Sequence, residues 1–109
     1  MNVPETIIEQ LNSMDPRALW AWGAKDLVGT STPSKQDCFG YLMFKTSNCP
    51  KVVNGTRIKI TLEFNDTYTV KCFTVRKIRG KADYKETIIA EEKDVYFDQL
   101  IPVIDNMVG

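Results

Sequence analysis

The chain contains no histidine, so Ser-His-Asp and Cys-His arrangements, imidazole acid-base chemistry and His-containing zinc sites are excluded within it. Its six glycines form neither a G-x-x-x-x-G-K-S/T loop nor a G-x-G-x-x-G turn, which removes the two common phosphate cradles. Cysteine is scarce: Cys38, Cys49 and Cys72 show no C-x-x-C spacing, and an odd number does not close a disulfide framework. Cys72 reads as a small core residue. No stretch approaches the roughly 18 apolar residues of a membrane span, and the first residues lack the basic and apolar regions of a secretory signal. The expectation is a reducing, cytoplasmic setting without membrane association.

Net charge is also missing, since fourteen basic and fourteen acidic side chains cancel. Their distribution is nevertheless uneven. Residues 56–82 carry Arg57, Lys59, Lys71, Arg76, Lys77, Arg79 and Lys81 against Glu63 and Asp66, a net of +5. Residues 83–109 carry two lysines against seven acids, a net of −5. A chain polarised in this way has the means for electrostatic recognition without the overall basic field of a typical nucleic-acid binder.

What is present in strength is alternation. From Thr56 to Cys72, apolar and polar residues alternate on both sides of Asn65-Asp66, the pattern of a β-hairpin with one buried face. Opposite residues in an antiparallel pair share a face, so a two-residue loop that set Phe64 against Thr67 is excluded, and an odd-length loop is required. The predicted pairs are Phe64 with Tyr68, Leu62 with Val70 and Ile60 with Cys72. This register sets Lys59 opposite Phe73 and Arg57 opposite Val75 on the outward face. Phe73 and Val75 break the parity, which predicts a β-bulge near Cys72 and Phe73 or a second covered face.

Before the hairpin, Ile7, Ile8, Leu11 and Met14 have the spacing of an early helix. Asp15-Pro16 reads as a cap followed by a first-turn proline. Residues 17–28 read as a second short helix, the favoured reading, or as a strand interrupted at Gly23. Trp20 and Trp22 cannot both point into one helical stripe, so a helix would leave one at a rim or interface. Residues 38–45 read as a strand covered on both faces. After the hairpin, Tyr84 to Ala90 reads as the last strand and Asp94 to Met107 as an acidic helix, kinked or broken at Pro102. The expected fold is α+β: one domain, with about four strands in an antiparallel meander and N- and C-terminal helices packed on one face.

Three roles fit these residues. The first is non-catalytic engagement of a protein partner or a second copy through the charged sheet face and the acidic helix, with Trp20, Trp22, Asp94 and Asp98 as interface candidates. The second is single-stranded nucleic-acid binding by Arg57, Lys59, Lys71, Phe73, Arg76, Lys77 and Arg79, because a cationic sheet face with an aromatic holds backbone and base together. The plainer alternative for these basic residues is a solvated face with edge lysines. The third is a hard-cation site on Glu91, Asp94 and Asp98, although acids also suit a helix N-terminus without any metal. No catalytic residue, resident metal or cofactor is expected.

The segments Trp22-Gly-Ala-Lys-Asp-Leu-Val28, Phe44-Lys45, Ile58-Lys-Ile-Thr-Leu62, Asp66-Thr-Tyr-Thr-Val70 and Asp94-Val-Tyr-Phe-Asp-Gln-Leu100 resemble small uncharacterised proteins encoded by bacteriophages, prophages and related mobile elements. The likeness covers about residues 5 to 101. It implies an intracellular bacterial or phage setting and carries no activity with it. Pro102 and the stretch to Gly109 depart from it, because similar proteins continue a helix there.

Overall fold

The predicted alternation around residues 57–63 is realised as a strand whose even-numbered side chains are buried and whose odd-numbered ones are half-buried. In this computed structural model, residues 3–30, 38–47, 49, 50, 52, 55–63, 66–77, 80 and 84–108 are described. Their order is α1 (Val3–Met14), α2 (Ala18–Ala21), β1 (Lys25–Thr30), β2 (Cys38–Lys45), β3 (Arg57–Glu63), β4 (Tyr68–Lys77), β5 (Tyr84–Val95), a 3-10 turn (Phe97–Gln99) and α3 (Leu100–Val108). All five strands form one antiparallel sheet in sequence order. The class and meander are those expected, with five strands rather than four.

The fifth strand comes from residues 25–30. The segment expected as one helix is divided, with helix at 18–21 and strand from 25. Gly23 makes the division. Its φ is +61°, and a Cβ there would lie 2.2 Å from Ser47 Oγ and 2.4 Å from the Ser47 carbonyl oxygen. The chain therefore reverses tightly over Ser47, where no larger residue fits without rearrangement. Just before α2, Asp15 Oδ1 accepts the Arg17 N–H at 3.0 Å as a local Asx turn. The N-cap of α2 is Arg17 and has no side-chain cap bond, so Asp15 and Pro16 precede the helix rather than forming its expected cap and first turn.

The hairpin register keeps the expected parity and slides by two residues. Observed pairs are Leu62 with Tyr68, Ile60 with Val70 and Ile58 with Cys72. Glu63 N–H donates to the Thr67 carbonyl at 2.9 Å, so the odd-length connection closes at Glu63 and Thr67, and Asp66 takes the left-handed conformation at φ +63°. Phe64 and Asn65, on which the earlier pairing relied, lie outside the described residues.

All three helices pack on the even-numbered face. Val3, Ile7 and Leu11 of α1 and Leu100, Ile104 and Val108 of α3 share one core with Leu42, Phe44, Ile58, Ile60, Val70 and Cys72. Each fully buried aliphatic side chain contributes about 1.5–3 kcal/mol. The 21 Å short dimension of the molecule matches one sheet plus one helix layer.

The acidic C-terminal segment differs most from expectation. β5 continues to Val95, so Glu91, Glu92 and Asp94 lie on a strand, and Asp98 lies in the 3-10 turn. α3 starts only at Leu100, which puts Pro102 in its first turn. There its missing N–H has no helical partner to lose, so neither kink nor break is required. The helix expected over Asp94 to Met107 is thus realised from Leu100 onward, while the acids Glu91, Glu92 and Asp94 sit on a border strand beside the basic ones. Among the described residues no helix is long and apolar enough to cross a membrane.

Candidate binding face

No described helix covers the odd-numbered face of the sheet. β2 contributes Tyr41 and Met43, β3 contributes Arg57, Lys59 and Thr61, and β4 contributes Lys71, Phe73 and Val75. Alternation forces this composition, since the even positions Leu42, Phe44, Ile58, Ile60, Leu62, Tyr68, Val70 and Cys72 are spent on the helix-side core.

Arg57, Lys59, Lys71 and Phe73 are brought together here as the sequence predicts, but the partners are exchanged. Lys59 stands opposite Lys71, and Arg57 opposite Phe73. Two lysines directly across a strand pair repel, and local contacts offset this. Lys59 Nζ sits 4.4 Å from the Tyr41 ring centroid, and Lys71 Nζ sits 5.1 Å from that of Phe73. Lys71 also pairs with the Glu86 carboxylate on β5. At the other border, Lys45 Nζ lies 3.4 Å from Asp26 Oδ2. Such half-exposed pairs add little to stability. They fix where charge sits.

Phe73 is only 3% exposed, between Arg57 and Ile88 on the neighbouring strands and under Lys71. It is on the predicted face but gives a base no free ring to stack on, because long flanking side chains lay their stems over it. The half-exposed aromatic on this face is Tyr41, which sequence reasoning passed over inside a strand that reads as continuously apolar. The parity break is explained by β5. β4 alternates regularly, and the irregularity between Cys72 and Phe73 places an extra residue, Ile89, on the partner strand.

The remaining candidates scatter. Residues 74–77 and 84–87 run past the last β3 pair as a two-stranded ribbon, in which exposed Arg76 faces exposed Lys85 and Lys77 pairs with Tyr84. Arg79 lies outside the described residues. Trp22 is 2% exposed, parallel to Phe44 at 6.1 Å, and donates its indole N–H to Asp105 Oδ1 at 2.6 Å. It is a core residue. Trp20 is 83% exposed beside an open groove of about 490 Å³ lined by Ala21, Gly23, Ala24, Lys25 and Ser47. Asp94, at φ +57°, and Asp98 are exposed at the far end of β5. Among the described residues, no three of the acidic or thiol side chains converge on a point that could hold a metal ion, so Glu91, Asp94 and Asp98 do not form the cation site considered for them.

The perturbed titrating groups belong to the helix side. Burial pushes the Cys49 thiol up, and the Asp105 carboxylate adds to the effect; burial also raises Cys72, with Cys49 adding. Tyr68 is raised by burial while its hydroxyl donates to Gln10 Oε1 at 2.6 Å. Protonated thiols sealed in a core are poor nucleophiles. What the open face offers is a cationic patch on β3–β4 beside the acidic border of β5, where Glu91 lies opposite Lys71. No protein-family model, curated protein or solved structure matches this chain.

Proposed function

We propose that this chain is a small non-catalytic binding protein of phage or mobile-element type, working in the cytoplasm of a bacterial cell and engaging a protein partner through its helix-free sheet face and the β5 border. One observation carries this reading: among the described residues no helix covers one whole sheet face, and on it cationic and anionic rows run side by side. Adjacent rows of opposite sign select orientation and register in a partner better than a single-sign surface does. The two buried, unbridged thiols, Cys49 and Cys72, are in keeping with a reducing compartment. The test is affinity capture from a bacterial host lysate with the wild type, Lys59→Glu/Lys71→Glu and Trp20→Ala. A partner kept by wild type and Trp20→Ala but lost by the double variant is the expected result. Identical capture by all three would overturn the reading.

A second reading, single-stranded nucleic-acid binding, draws on the direct juxtaposition of Lys59 and Lys71 beside Tyr41, where a phosphate could bridge two ammonium groups. Anisotropy of a labelled oligonucleotide at low and physiological salt decides it. Tight binding with a steep salt slope supports this reading. No binding at low salt, or binding that persists in Lys59→Glu/Lys71→Glu/Lys77→Glu, removes it.

A further inference from the structure

We infer that β5 is the pairing edge for a second copy of this chain, joining two five-stranded sheets into one ten-stranded sheet about a two-fold axis. This rests on the protein-partner reading above and names the partner.

The two borders of the sheet differ. β1 spans six residues and is broken by an irregularity between Lys25 and Val28, with Asp26 at φ +54°. β5 is twice as long at twelve residues, contains neither proline nor glycine, and among the described strands pairs on one side only; its own irregularities fall at Ile89 and between Glu92 and Val95, where Asp94 has φ +57°. At its middle it exposes Ile88 (53%) and Ile89 (49%). A long border strand with exposed isoleucines is a template for strand addition, and natural sheets blunt such edges unless they are used.

The charges of β5 complement themselves. In a two-fold antiparallel pair, residue i of one copy meets residue j of the other with i + j constant, and opposing residues must share a face. On a regular strand only an even sum satisfies this. Centred on Ile89, such a pairing sets Lys85 against Lys93 and Glu86 against Glu92, like against like. The bulge at Ile88–Ile89 changes that. Glu86 and Ile88, opposite Val75 and Phe73, share the helix-free face with Glu91, opposite Lys71. Lys93 follows Glu92, which pairs with helix-side Val70, and precedes the left-handed Asp94 of the second irregularity, so alternation places it on that face too. The odd register, with Glu86 opposite Lys93 of the second copy and Ile88 opposite its Glu91, then becomes sterically correct on both sides of the axis. The four isoleucines gather at the axis and opposite charges close both ends, an apolar centre with a charged rim. Glu86 already holds Lys71 in its own copy and has a second carboxylate oxygen for the incoming lysine. An axis perpendicular to the sheet keeps both helix-free faces on one side.

Sedimentation equilibrium across a concentration series tests this with three proteins: wild type, Lys93→Glu and Glu86→Lys/Lys93→Glu, each checked for native circular dichroism. The expected result is a wild-type dimer, weakened about tenfold or more by Lys93→Glu, which sets acid against acid twice, and recovered in the charge-swapped double variant. A wild type that stays monomeric at millimolar concentration overturns the inference. So does a dimer indifferent to Lys93→Glu, or one the double variant fails to recover. Those failures leave the wider protein-partner reading standing, because the Lys59/Lys71 capture experiment judges it separately.

Discussion

Trp22 donates its indole N–H to the Asp105 carboxylate across 2.6 Å, so the turn after α2 is tied to the last helix, 83 residues away. A carboxylate acceptor makes this a strong bond, and Trp22 is otherwise enclosed by the core. Asp105→Ala should cost about 1–3 kcal/mol by leaving a buried donor unsatisfied. Trp22→Phe should cost less, because the ring still lies along Phe44 and the exposed Asp105 returns to water. Urea unfolding of the single and double variants checks this, with a coupling energy of about 1.5–3 kcal/mol expected from the cycle.

Gly23 and Gly80 separate backbone strain from steric collision. Both have positive φ, +61° and +80°, but a Cβ on Gly23 strikes Ser47 while one on Gly80 meets nothing within 4 Å. Gly80→Ala should cost about 1 kcal/mol from the left-handed backbone alone. Gly23→Ala should cost clearly more, at least about 2 kcal/mol, and lower the melting temperature in proportion. Equal losses would show that Ser47 yields freely.

Alkaline pH should destabilise the fold. Cys49, Cys72 and Tyr68 all ionise at higher pH folded than unfolded, chiefly because of burial. Their contribution is therefore complete below the unfolded values and is lost as pH rises through the folded ones. The urea midpoint should be level near neutrality and fall from about pH 8.5, the unfolded thiol value, with Tyr68 joining from about pH 10. Cys49→Ala/Cys72→Ala should flatten the first part of that fall, whatever it costs in packing. A thiol reagent at neutral pH should react only as fast as the chain opens.

The ribbon beyond β3 carries a like-charge pair, Arg76 opposite Lys85, both exposed. Arg76→Glu turns repulsion into attraction and should raise stability by about 0.5 kcal/mol, with the gain shrinking as salt is added. If the single-strand reading holds, the same variant weakens oligonucleotide binding and flattens its salt slope. More stability with less binding would mark this pair as kept for its ligand.

Sequence reasoning found what alternation dictates. Residues 57–63 are half-buried on one face and fully buried on the other, so period two was legible, as was the parity of the hairpin. The two-residue slip was not, because Asn65-Asp66 permits a left-handed residue without fixing which loop position it takes. β1 was hidden because Leu27 and Val28 are both exposed on a short, bulged border strand, leaving no apolar period to read. The second half of β5 was hidden for the opposite reason. Glu91 to Asp94 are all exposed, and a run of acids before an apolar stretch imitates a helix start. For the candidate face, the positions of Arg57, Lys59, Lys71 and Phe73 were legible and the burial of Phe73 was not, since the bulge that sets Ile88 beside it lies on another strand.

Because each strand lies next to its successor in sequence, every hairpin of the sheet can zip up as soon as it emerges from the ribosome. The helix layer cannot. Leu100, Ile104 and Val108 complete the core that Val3, Ile7 and Leu11 begin, so a nascent chain stalled before residue 100 carries a nearly finished sheet whose oily side is covered by α1 over β1 and β2 but open over β4 and β5. Synthesis of the last nine described residues is then the step that turns an aggregation-prone intermediate into a sealed protein.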